Sequence, residues 1–83
     1  LKIYFEQQDE DLFFYQASSF RTFLSRHKQV SAYQRTIYKN FIRFAALLLK
    51  ADGETQKLAA IARELEEVKQ VADIRWLREK CNG

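Results

Sequence analysis

The stretch VSAYQRTIYKNFIRFAALLLK, residues 30–50, decides how this chain folds. Ser31 followed three residues later by Gln34 is a capping box, in which each side chain satisfies the other residue's free amide at a helix start. With Arg35 set at zero and 100° per residue, Tyr33, Ile37, Phe41, Phe44, Ala45 and Leu48 fall between about 160° and 280°. Tyr38, Ile42 and Leu49 follow between about 300° and 340°. The apolar arc covers about half of the helix, more than one neighbour can bury, so this helix is expected at the centre of an all-α bundle. It should run over 31–50, ended by Ala51, Asp52 and Gly53, with Gly53 free to take a positive φ.

The flanking sequence reads as helices arranged around this one. Upstream, Phe13, Ala17, Phe20 and Leu24 repeat at i, i+4, i+7 and i+11, with Phe23 widening the stripe. Asp9 or Asp11 can cap that helix, expected over 9–28, and Arg26, His27 and Lys28 meet its negative end. Downstream, Leu58, Ile61, Leu65 and Val68 form a narrower stripe over 54–70. A last short helix is expected over 73–80, capped by Asp73, although an unbroken helix over 54–80 fits the same residues. Trp76 and Leu77 should fold back onto the core in either case. Residues 1–8 read as the tail of a preceding element, since the chain opens at Leu1 without Met and is expected to be part of something longer.

The predicted architecture is a small bundle of three main antiparallel helices and a short C-terminal helix, in a single domain over 1–83. With 83 residues, two Gly and no Pro, one core fits and interruptions are few. The longest apolar run, FIRFAALLL, is too short for a membrane span and contains Arg43. Cys81 stands alone, which excludes a disulfide framework; with no signal peptide at the start, a cytoplasmic setting is expected.

Charge is unevenly distributed. Residues 1–20 hold one base and four acids, residues 21–50 seven bases and no acid, and residues 51–83 six bases and seven acids. Arg35, Lys39 and Arg43 recur at i, i+4 and i+8 on one helix face, a spacing that could follow a phosphate backbone with stacking on Tyr33 or Tyr38. The same pattern also describes a solvated helix face whose cations pair with acids such as Glu64 and Glu67. The second reading is preferred, because no base-reading motif accompanies the patch.

Catalytic chemistry finds little to work with. His27 has no second His or Cys at ligand spacing, so no metal is expected. Ser18, Ser19, Ser25 and Ser31 share His27 as their sole candidate base, with no acid to orient it. Asp9, Glu10 and Asp11 read as a capping cluster. No catalytic residue and no cofactor is assigned. The surface reserved for a partner is the 300°–340° flank, Tyr38, Ile42 and Leu49.

Two resemblances extend this reading. Residues 1–50 resemble the closing helices of tetratricopeptide-like repeat proteins, and VSAYQRTIYKNFIRF (30–44) with VADIRWLREK (71–80) resembles the carboxy-terminal region of uncharacterised bacterial proteins of that kind. This likeness implies a solenoid end serving scaffolding or protein recognition. FRTFLSRHKQVSAYQRTIYKNFIRF, residues 20–44, is similar to the core-binding domain of tyrosine recombinases, which implies that Arg35, Lys39 and Arg43 would contact DNA. The expected function is a non-enzymatic module that binds protein, either the rest of its parent chain or a separate partner. DNA binding is the alternative.

Overall fold

The computed structural model describes residues 2–82, and among them the chain forms five helices and no strand. These are α1 (Lys2–Glu6), α2 (Glu10–Arg26), α3 (Ala32–Ala51), α4 (Thr55–Glu67) and α5 (Ile74–Cys81). Helix α3 contacts α2, α4 and α5, while α1 lies on α2 and α4 on α5. The all-α bundle built around the helix of residues 30–50 is therefore the observed architecture.

The helix starts follow from their caps. The Leu12 amide donates to Asp9 Oδ1 at 3.2 Å at the head of α2. At the head of α3 both capping-box bonds are made, Gln34 N to Ser31 Oγ at 3.1 Å and Ser31 N to Gln34 Oε1 at 3.2 Å. Helix α3 ends as Asp52 and Gly53 take positive φ, 48° and 78°. Nothing stands within 4 Å of where a Gly53 Cβ would sit, so its glycine serves backbone conformation and not close packing.

The core is the apolar half of α3 covered on three sides. Phe41, Ile42, Phe44, Ala45, Leu48, Leu49 and Ala51 are buried with Phe13 and Ala17 of α2, Ile61 and Leu65 of α4, Val71, and Leu77 of α5. Full burial of each large side chain among them stabilises the fold by about 1.5–3 kcal/mol. Trp76 joins the layers, with its ring centroid 5.0 Å from Phe5 and 5.8 Å from Phe41.

Lys2–Glu6 is helical and is clamped by Phe5, which meets Phe13 and Trp76 edge-on, and by ion pairs Lys2–Asp73 and Lys80–Glu6. Three expectations need correction. Helix α2 stops at Arg26 instead of Lys28, because Arg35 ties down its final carbonyls. Helix α4 stops at Glu67, short of residue 70, and the unbroken 54–80 helix does not form. Residues 68–73 instead strap onto α3: the Asn40 side-chain amide donates to Gln70 O at 2.9 Å, Ala72 N donates to Ile37 O at 3.0 Å, and Val71 is buried. Finally, Asp73 occupies the N-cap position of α5 in a left-handed conformation without a side-chain capping bond, its carboxylate being 2.8 Å from Lys2 Nζ.

Candidate interaction surface

Only one of the three residues reserved for a partner reaches solvent. Tyr38 is 37% exposed, whereas Ile42 is completely buried and Leu49 nearly so. The flank that one neighbour would have left open is closed because α3 has three neighbours, so Ile42 and Leu49 belong to the core. Tyr38 stays accessible near the start of α3, where its ring meets Phe20 of α2 edge-on at 5.7 Å.

Around Tyr38 lies an open groove between α2 and α3. Gln16 and Phe20 form one wall and Tyr38 and Phe41 the other, with the Lys2–Asp73 ion pair at one end, enclosing about 300 Å³. A second depression of about 310 Å³ shares Gln16 and Phe20 and continues along α2 past Ser19 to Phe23. Phe23 is 46% exposed and Leu12, on the same flank of α2, 44%. One face of the Phe23 ring is stacked on His27 at 3.9 Å, and His27 Nδ1 donates to Phe23 O at 3.0 Å. The His27 ring is thus held against the helix end.

Phe23 stands outside the core stripe that it is expected to widen: Leu12, Gln16, Ser19 and Phe23 recur at i, i+4, i+7 and i+11 and so form a second stripe beside the first. That spacing was visible in the sequence. Packing between distant residues decides that Phe13, Ala17 and Leu24 of α2 are buried while Leu12, Gln16, Ser19 and Phe23 stay exposed.

The three cations assigned to nucleic acid are used differently from one another. Arg35 Nε donates to Leu24 O at 2.8 Å and its terminal nitrogen to His27 O at 3.0 Å, so this guanidinium caps the C-terminus of α2. Such carbonyls lack an intrahelical partner and carry the negative end of the helix dipole, which a planar, forked cation suits. Arg43 lies 2.7 Å from Glu64 Oε1 of α4 and over the Phe44 ring at 4.6 Å. Lys39 is exposed and has no ion pair among the described residues. The face therefore presents one free cation of the three.

The remaining chemistry is sparse. Among the described residues no three His, Cys, Asp or Glu side chains are grouped to hold a metal ion, and no helix is long and apolar enough to cross a membrane. Cys81 is half-buried against the core, and that burial pushes its thiol pKa up, away from the reactive thiolate. Family models, curated proteins and solved structures offer no significant match to this chain.

Proposed function

We propose that this chain is a non-enzymatic helical module that binds protein through the α2–α3 groove. The observation that carries this reading is the run of rings Phe23, Phe20 and Tyr38, with successive centroids 6.4 Å and 5.7 Å apart, of which Phe23 and Tyr38 are more than a third exposed beside a groove walled by Phe20 and Phe41. Contiguous aromatic surface beside a concave floor is the kind of patch that interfaces bury, and aromatic side chains supply most of their energy. In a helical array, the helix laid into this groove would come from the neighbouring unit, which accords with the resemblance to repeat ends.

Nucleic-acid binding is the weaker reading. Arg35 and Arg43 already have partners within the fold, which leaves Arg21, Arg26, Lys28, Lys39 and Lys50 as exposed cations of the basic segment. A duplex gripped by four or five of them would be released by about 10²- to 10³-fold between 50 and 200 mM salt.

The direct test is selection of displayed helical peptides on the wild-type protein and on a Phe23→Ser/Tyr38→Ser variant. Both side chains are exposed, so circular dichroism should show the variant folded. Enrichment on wild type and its loss on the variant support the groove; equal enrichment on both removes it.

A further inference from the structure

The groove has a chemical polarity that narrows what can occupy it. Both walls are helices, whose backbone groups are bonded internally, so an extended peptide would find no strand edge to pair with. An occupant has to satisfy its own backbone, as a helix does. The wall from Gln16 to Phe23 spans two turns, about 10 Å, enough for apolar side chains at i, i+3 or i+4, and i+7 of a partner helix.

Charge distinguishes the two ends. At one end Lys2 and Asp73 are paired at 2.8 Å and largely neutralise each other. At the other, Arg26 follows Phe23 at i+3 and Lys28 lies in the turn. Residues 21–50 contain no acid to offset them. The negative end of the α2 dipole, which would otherwise weaken this field, is met by Arg35 at Leu24 O and His27 O.

Resting on the groove reading above, we infer that the partner is an amphipathic helix with acidic residues at one end, its apolar face on Phe20, Phe23 and Tyr38 and its acids beside Arg26 and Lys28. A single-stranded nucleic acid fits less well. Base stacking needs an open ring face, and one face of the exposed Phe23 ring is already taken by His27.

A displayed library tests this, with i, i+3, i+4 and i+7 held apolar and the flanking positions randomised, selected on wild type, on Phe23→Ser/Tyr38→Ser and on Arg26→Glu/Lys28→Glu. The expected wild-type pool is enriched about fivefold in Asp and Glu toward one end of the peptide, and the charge-reversed protein loses that bias or turns it basic. Wild-type binders with neutral or basic flanks would overturn the acidic partner while leaving the groove intact. Binders that survive Phe23→Ser/Tyr38→Ser, or no enrichment on wild type, would overturn both. A thymidine oligonucleotide that displaces every selected peptide and fails to bind the charge-reversed protein would overturn the inference in favour of nucleic acid.

Discussion

Replacing Arg35 with alanine separates a structural role from a ligand-binding one. Its guanidinium makes two charge-assisted hydrogen bonds, 2.8 Å to Leu24 O and 3.0 Å to His27 O, at the end of α2. Buried bonds of this kind contribute about 1.5–3 kcal/mol each. Here the side chain is half-buried and the freed carbonyls can rehydrate, which cuts the loss to about 1 kcal/mol per bond. Arg35→Ala should then cost about 2 kcal/mol. With a urea dependence of about 1 kcal/mol per molar for so small a domain, the unfolding midpoint should fall by about 2 M at unchanged slope. Arg35→Lys keeps the charge but not the fork, and should recover about half of the loss. Lys39→Ala, four residues on and without a partner, should stay within about 0.5 kcal/mol of wild type. Urea unfolding followed by far-ultraviolet circular dichroism measures all three. Equal midpoints for Arg35→Ala and Lys39→Ala would refute the capping role.

Ile42→Ala should lose about 2–5 kcal/mol and shift the thermal midpoint far more than Tyr38→Ala, since the first opens a cavity in the core and the second trims a half-exposed ring. Asn40→Ala should cost about 1 kcal/mol and speed hydrogen exchange at the Ala72 amide, because the Asn40–Gln70 bond helps hold the 68–73 strap on α3. Cys81 should react with a neutral alkylating reagent more slowly in the folded protein than in urea. Because burial raises its pKa in the fold above that of the unfolded chain, the stability tied to its protonated form is complete below the unfolded pKa. That contribution should fall as pH climbs through the unfolded and then the folded pKa, an effect that Cys81→Ser would remove from the pH profile of unfolding.

The arrangement of the groove shows how far residue order reaches. The Ser31–Gln34 capping box, the Asp9 cap, the positive φ of Gly53 and the half-apolar girth of α3 were readable because each depends on residues within a turn or two of one another. The break between α4 and α5 was only half readable. It depends on Asn40 and Ile37, about thirty residues away, taking the backbone of residues 70–72 in place of another helical turn.

The candidate surface divides in the same way. Sequence alone determined that α3 is the buried centre, and that aromatic side chains crowd α2 and α3. Tertiary structure alone decided that Ile42 and Leu49 are interior while Phe23 is not, and that Arg35 caps a helix instead of facing a ligand. Periodicity specifies which side of a helix is apolar. It does not specify how many neighbours cover that side or at what angle they arrive, and those contacts between distant residues determine whether an aromatic ring or a guanidinium is left for a partner.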